Sequence, residues 1–331
     1  MNRRAARGRG SAGAAKFAIR VARESDYDEV HLLFELAERR NNKLLPHIYK
    51  YPERPVRTLE YLQKAISTDG STLLVAEAAG QLVGMIRAAA FSGPSLPPTG
   101  VGQVAYLFVI EPLRRLGVGS SLLTRAHRWI LEREVTRVDA EALRADDGAF
   151  NFFVGHGYRE ITQVRSHVVG DNPPAVSPSI RDAGASDYAA VSDLLFDTLV
   201  YHAEVAPGEY TTPKPPGIAR DAYDAIVADD NQGCFVADVD GVIGVARTRI
   251  MPSAAYVGGS VAMTSHVHVP EEHRGKGVGR ALMTAIERWA ADHDAPRVQL
   301  RVSQSNKDAV GFYDRIDYEL MSAMMTTRLE E

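Results

Sequence analysis

Apolar residues recur along this chain with alternating periods, and one order of segments runs through each half. Strand-like runs fall at 18–21, 72–77, 82–87 and 104–110, and again at 179–181, 234–238, 242–247 and 264–269. Ala79-Gly80 and Asp240-Gly241 supply hairpin turns between the second and third run of each set. Helical periodicity follows the first strand of each half, with Ser25 and Ser186 placed where a serine oxygen would cap the helix. Irregular, proline-containing stretches are expected next, holding His47 and Tyr49 in one half and Tyr201 and His202 in the other. After the fourth run a longer helix begins. In its second copy Val278, Leu282, Ala285, Ile286 and Trp289 are spaced by three and four, which makes one apolar face. A strand at 298–302, a last helix and final strands complete the pattern. The alternation predicts an α/β (α+β) class, with a mixed central sheet flanked by helices in each half.

The halves are in register. Gly84 and Gly244, Gly117 and Gly277, Gly119 and Gly279, and the two tryptophans Trp129 and Trp289 are each 160 residues apart. Ser25-Asp26-Tyr27 and Ser186-Asp187-Tyr188 are 161 apart, so about one residue is inserted between them. So few gaps over a half-chain imply duplication and fusion. Two domains are expected at 17–170 and 180–331, joined by a proline-rich linker at 171–179. Residues 1–16 carry Arg3, Arg4, Arg7, Arg9 and Lys16 among Ala, Gly and Ser, with no apolar stretch, and are expected to be a disordered tail.

Composition narrows the function classes. Hydrophobic residues make up 45% and charged residues 24%, as in ordinary globular chains. A formal net charge of −4 gives no reason to expect nucleic acid or an anionic membrane as partner. Cys234 is the single cysteine, which excludes an internal disulfide and a thiolate metal cluster. No run is long and apolar enough to span a membrane, and a cytoplasmic location is expected.

The candidate chemistry begins at a repeated hexapeptide, Arg-x-x-Gly-x-Gly. One copy is Arg114-Arg115-Leu116-Gly117-Val118-Gly119 and the other Arg274-Gly275-Lys276-Gly277-Val278-Gly279. Each follows the fourth apolar run and opens the long helix. A glycine-rich turn at a helix N-terminus gathers free N–H groups around a point, which suits a phosphate or pyrophosphate. Arg274, Lys276 and Arg280 add positive charge at the second turn. A dinucleotide-binding dehydrogenase would place Gly-x-Gly-x-x-Gly near an early strand with an acidic residue about twenty on, and that arrangement is absent.

The strand, the turn and the helix resemble the acyl-CoA pyrophosphate motif of the GNAT (Gcn5-related N-acetyltransferase) superfamily. The run 306–318 resembles that family's Asn-x-x-Ala-x-x-x-Tyr-x-x-x-Gly-Phe signature through Asn306, Ala309, Tyr313 and Tyr318, with Asp317 in place of glycine. The resemblance covers the chain twice, from about Phe17 onward, so two tandem GNAT-like domains are expected. It implies acetyl-CoA as cofactor, no metal, and transfer of an acetyl group to an amine. It assigns Val267, Val269, Arg274, Gly275, Lys276, Gly277, Val278, Gly279, Arg280 and Asn306 to the cofactor in the second half. In the first half it assigns Val109, Arg114, Arg115, Gly117, Val118, Gly119 and Ser120.

An alkyl amine with a pKa of about 10 is mostly protonated at neutral pH, so a base assists its attack. Ser265, His266 and His268 on the central strand are the candidates, with His202 and Glu204 behind them. Alternation puts His266 and His268 on one sheet face unless a bulge intervenes; the bland alternative packs them under the long helix. The resemblance makes Tyr313 the acid for the departing thiolate, with a core aromatic as the alternative. The 160 offset maps Tyr313 onto Phe153, Asn306 onto Asp146, and the strand histidines onto Tyr106 and Phe108. Phe153 has no proton to give. The first half is therefore expected to be a degenerate copy that binds acyl-CoA without turnover or only supports the second.

A small-molecule amine is the expected acceptor, with substrate segments at 46–57 and 201–218. A protein or peptide acceptor, a mycothiol-synthase-like tandem enzyme and an acyl-CoA-binding regulatory module are the alternatives. The fused repeat already supplies an internal pseudo-dimer, and monomer and homodimer both stay open.

Overall fold

Strand β1 (Ala18–Val21) leads into helix α1 (Tyr27–Leu44), and α2 (Leu59–Ser67) follows after a connection without regular structure. This is a computed structural model, which describes residues 16–67, 69–91, 100–170, 173–177, 179–207 and 214–330. The first half continues with β2 (Ser71–Ala78), β3 (Gln81–Phe91), β4 (Val101–Val109), α3 (Val118–Leu131), β5 (Arg137–Leu143), α4 (Asp147–Gly155) and β6 (Arg159–Val168). The second half repeats the order: β7 (Ile180–Asp182), α5 (Tyr188–Val205), α6 (Arg220–Val227), β8 (Gln232–Asp238), β9 (Val242–Pro252) and β10 (Ser260–His268). It ends with α7 (Val278–Asp292), β11 (Arg297–Ser303), α8 (Lys307–Arg315) and β12 (Glu319–Arg328). Most of the expected tail, part of the linker and 208–213 of the second substrate segment lie outside the described residues.

Among the described residues the strands form one twelve-stranded sheet in the order β1-β2-β3-β4-β5-β12-β6-β11-β10-β9-β8-β7. The last strand of each half has changed places with its counterpart. β12 pairs antiparallel with β5, β6 pairs antiparallel with β11, and β12 and β6 pair with each other at the centre. The exchange is reciprocal and keeps register. Ser322 lies opposite Leu143 and Thr162 opposite Ser303, which is one pair seen twice under the 160 offset. Arg165 of β6 secures the exchange. It is nearly fully buried and donates to Gln163, to the Tyr318 carbonyl and to Asp314, with Nη1 2.6 Å from Asp314 Oδ1.

Helices cover both faces. α3 packs over β2–β4 through Val118, Leu122, Ala126 and Ile130, and α7 covers the second half through Leu282, Ala285, Ile286 and Ala290. On the opposite face α1 and α2 bury Leu33, Phe34 and Leu62 against Leu73, Val75 and Met85. There α5 and α6 bury Val191, Leu195 and Tyr223 against Cys234, Val236 and Val245. The repeated glycine on the third strand marks how closely α3 and α7 sit. A Cβ on Gly84 would lie 2.8 Å from the Phe108 carbonyl oxygen, and one on Gly244 3.2 Å from that of His268 and 3.3 Å from Leu282.

Two local expectations differ from the structure. Neither Ser25 nor Ser186 caps its helix; the neighbouring aspartate occupies that corner. Asp26 accepts the N–H of Arg23 at 2.7 Å and Asp187 that of Gly184 at 2.7 Å. Arg20 and Arg181 hold the same carboxylates at 2.6 and 2.8 Å. An ionised carboxylate has two charged oxygens, enough to take an amide and both arms of a guanidinium together, whereas a hydroxyl offers one uncharged oxygen. Tyr201 and His202 lie in α5 and not in an irregular stretch, because no proline or glycine interrupts the helix before Pro207. His47 and Tyr49 do fall in a connection, and Tyr49 bridges to Tyr256 of the other half.

Candidate functional site

Each long helix starts at a left-handed glycine. Gly117 has φ 85° and Gly277 φ 86°, and no side chain caps either helix. The first intrahelical bonds run from Ser121 to the Gly117 carbonyl and from Ala281 to that of Gly277. The amides of Val118, Gly119 and Ser120, and of Val278, Gly279 and Arg280, are thus left for an outside acceptor. A Cβ added at either glycine would meet nothing within 4 Å, so the space before the helix is open. The second left-handed residue of each turn is Gly275 (φ 74°) in one half and Arg115 (φ 62°) in the other, which strains only the arginine. Arg114 and Arg274 brace the turns by donating from Nε to the carbonyls of Val109 and Val269, at 2.8 and 2.9 Å. Lys276 reaches the Glu272 carbonyl and Arg280 that of Arg315. Oxygen ligands such as a pyrophosphate fit both cradles.

The sheet splits beside each cradle. β4 pairs with parallel β5 only over Gly102–Val104, although it continues to Val109. β10 pairs with parallel β11 only over Ala262–Thr264, although it continues to His268. Past these points each strand stays bonded on its outer side alone. The inner edges diverge and leave a wedge of unpaired backbone groups leading to the glycine turn. An extended ligand carrying amides can complete such an edge.

A bulge at Ser265 shifts β10 by one residue between Thr264 and His266. His266 and His268 share a face after it, and Ser265 Oγ lies 3.0 Å from His266 Nδ1. That face is turned away from α7. Val267 and Val269 belong to the α7 core, whereas His266 lies opposite Arg247, beside His202 of α5. The expectation that the histidines pack under the long helix is thereby excluded. Burial holds His266 down at about 4, with Arg247, His202 and His268 adding to the effect. Burial also lowers His268, which the Asp197 carboxylate partly offsets, and lowers His202. His268 opens on a cleft of about 340 Å³ between α5 and the turn, lined on the α5 side by Asp197, Tyr201 and Glu204 and on the other by Glu271, Glu272 and Arg274.

Tyr313 of α8 is 8% exposed and packs in the core beneath α7, against Phe312 and Tyr318. Burial pushes its hydroxyl well above the usual range and so keeps the proton on Oη at neutral pH. Asn306 caps α8: its Oδ1 accepts the Ala309 N–H at 3.1 Å and the Tyr201 hydroxyl at 3.3 Å. Asp317 takes the left-handed conformation (φ 59°) that Gly157 takes in the first half, which aspartate tolerates better than most residues.

A sequence model described as the Acetyltransferase (GNAT) family matches residues 31–158 and 199–318, which is most of the chain and covers both halves. The chain belongs to the GNAT family. A GCN5-related N-acetyltransferase from Sphaerobacter thermophilus shares the fold over 95% of this chain and 96% of its own, at 16% identity and a TM-score of 0.60. A tandem GNAT protein from the clavulanic acid biosynthesis pathway does so over 96% and 99%, at 17% identity and a TM-score of 0.57. The uncharacterized N-acetyltransferase YobR of Bacillus subtilis (strain 168) is 38% identical over 58 residues, which are 18% of this chain and 24% of that protein.

The two GNAT halves differ around their cradles. In the first, Arg40 at the end of α1 holds Asp146, the cap of α4, through two bonds of 2.8 Å. Tyr201 and Asn306 are their counterparts, joined by the single 3.3 Å bond. Ser120 is bonded to His156 at 3.0 Å. Phe153 stands in the core where the second half has Tyr313. The strand position of His266 is held by Tyr106, left-handed at φ 54°, its ring near Phe34 and beneath Arg57.

The sequence reading passed over Arg87 and Arg247, which stand on the third strand of each GNAT half and face α1–α2 and α5–α6. The Nε of each is buried without a hydrogen-bond partner. The signal was present: a charged residue closes an apolar run at the same 160 offset in both halves.

Proposed function

We propose that this GNAT protein transfers an acetyl group from acetyl-CoA to a small-molecule amine, and that the second half carries the reaction. One observation supports this reading above the others: among the described residues the wedge, the open cradle, a histidine on a solvent cleft and a buried protonated tyrosine on the last helix occur together only in that half. Acetyl-CoA, when bound, supplies the acetyl group as a thioester.

The chain's own residues divide the remaining work. The amides of Val278, Gly279 and Arg280, with Arg274 and Lys276, hold the pyrophosphate. The free edge of β10 around Val267 and Val269 orients the donor. His268, on the cleft and beside Asp197, takes the proton from the acceptor's ammonium. His266, held at about 4, is a weaker base and helps set the position of its neighbour through Ser265. Tyr313 Oη delivers a proton to the sulfur as the C–S bond breaks, and the second proton shed by the acylated nitrogen returns the tyrosinate to the phenol. Asn306 places Tyr313 by starting α8. The first half keeps the turn at Arg114, Arg115, Gly117, Val118, Gly119 and Ser120 and the strand end at Val109, binds the cofactor there without turnover, and supports the second half.

Thiol release from acetyl-CoA, measured over a panel of amines, tests the activity. Tyr313→Phe should lower kcat by about tenfold or more while calorimetry shows nearly unchanged acetyl-CoA binding. A full-rate Tyr313→Phe enzyme, with Phe153→Ala inactive, would place the reaction in the first half.

A further inference from the structure

Arg247 is half-buried and, unlike several other interior arginines, has no partner among the described residues. Arg165 is bonded to Asp314, Arg297 to Glu319 and Ser166, and Arg57 to Glu38. Arg247 lies on β9 with Cys234 opposite on one side and His266 on the other. It makes no hydrogen bond or ion pair to any described residue, and its Nε is closed off from solvent without a partner. Neither strand neighbour can serve as counter-ion. Burial keeps the Cys234 thiol protonated, at about 11, and His266 is neutral. Burial accordingly lowers the pKa of Arg247 itself.

A guanidinium in such a place is costly unless something brings an acceptor to it. The same cost recurs in the first half, where Arg87 lies opposite Leu73 and Ala105 with its Nε equally unpartnered. The flanking residues differ between the halves while the unpaired arginine stays, so local packing does not account for it.

Its position relative to the reacting groups suggests the occupant. Neighbouring strands are about 5 Å apart, so Arg247 sits one strand outward from His266, towards the sheet edge, on the face that His268 shares. The cleft by His268 is rimmed by four carboxylates, Asp197, Glu204, Glu271 and Glu272, against one cation, Arg274, whose Nε is already bonded to the Val269 carbonyl. A ligand spanning the two places meets carboxylates at one end and a lone guanidinium at the other. We infer that the acceptor amine of the second half also bears an anionic oxygen group, a carboxylate or a phosphate, which Arg247 receives. The ammonium end stands among the rim carboxylates near His268, and the planar fork of Arg247 takes two oxygens of the anion. This inference rests on the acetyl-transfer reading for its choice of acceptor, and on the unpaired guanidinium alone for its choice of anion.

Two experiments on the full chain test the two parts separately. In the first, thermal unfolding is followed with sodium propionate as probe, against matched sodium chloride. Propionate should raise the Tm of the wild type more than that of Arg247→Met, and the variant alone should unfold no earlier than the wild type because it loses an unpaired charge. Equal shifts in both proteins, or an Arg247→Met chain that unfolds well before the wild type, overturn the inference.

In the second, acceptors are compared in pairs: 4-aminobutyrate with propylamine, L-lysine with cadaverine, and glucosamine 6-phosphate with glucosamine. The anionic member of at least one pair should have a kcat/KM about tenfold or more above its partner, with the difference in KM. Arg247→Met should bring that ratio to about one. The pair that discriminates tells carboxylate from phosphate. Turnover of the neutral members at rates equal to the anionic ones overturns the inference and leaves the acetyl-transfer reading standing. No thiol release with any amine, together with propionate protection that depends on Arg247, overturns the acetyl-transfer reading and leaves the anion site standing.

Discussion

Ser322, in the last strand of the chain, lies opposite Leu143, which ends a strand of the first half. Thr162 and Ser303 form the same pair in reverse. Each half therefore ends its sheet on a strand borrowed from the other, and neither has a complete sheet of its own. Fragments 16–170 and 179–330, produced separately, should be aggregated or dimerised through the open strand edges. Mixed on refolding, they should give a one-to-one complex that unfolds in a single transition. Light scattering and denaturant melts check this; a fragment that is a cooperatively folded monomer would refute it.

Arg165 should matter more than its partner. It is 4% exposed and satisfies the Tyr318 carbonyl as well as Asp314, whereas the Asp314 side chain is 59% exposed. Arg165→Ala should lower unfolding free energy by about 2 kcal/mol or more, because a buried carbonyl loses a charged donor. Asp314→Ala should cost under about 1 kcal/mol, as at an exposed ion pair. Urea midpoints with unchanged slopes measure both.

The paired glycines beneath α3 and α7 should respond unequally to a methyl group. A Cβ at residue 84 comes within 2.8 Å of a backbone oxygen, and one at residue 244 no nearer than 3.2 Å. Both substitutions overpack, at about 1–3 kcal/mol. Gly84→Ala should be the worse of the two, and equal losses would show that the strands yield more readily than their spacing indicates.

Acid should weaken the fold through His266 before the carboxylates respond. Its folded pKa of about 4 lies below the ordinary imidazole value of 6.5, so the unfolded chain binds the proton more readily. The stability it contributes is complete above pH 6.5 and is lost as pH falls towards 4, on the order of 1–2 kcal/mol between pH 7 and 5. His127, also near 4, acts with the same sign. Asp187, held at about 2 chiefly by Arg181, contributes stability that begins to fade only as pH drops below 3.8. The urea midpoint of the wild type should fall between pH 7 and 5, and that of His266→Gln should fall less. Identical falls would refute a neutral buried ring.

Much of this architecture is written in local pattern. The hairpin turns, the long helices and the glycine turns each depend on residues within a few positions of one another, and the 160-residue register exposes the duplication without any coordinates. Family membership followed from those same residues. The third-strand arginines were visible too, as the one charged residue closing each apolar run, but nothing in the sequence says that a guanidinium lacks a partner.

What the chain could not announce is which edge meets which. β6 and β12 carry nearly the same alternation, so the pattern of either suits either place in the sheet, and only the packing of the two halves selects the exchange. The wedge likewise depends on where pairing between two distant strands stops. The bulge at Ser265 and the cover of α5 decided the surroundings of His266 and His268, because a strand's period of two assigns residues to a face but not the face to a neighbour.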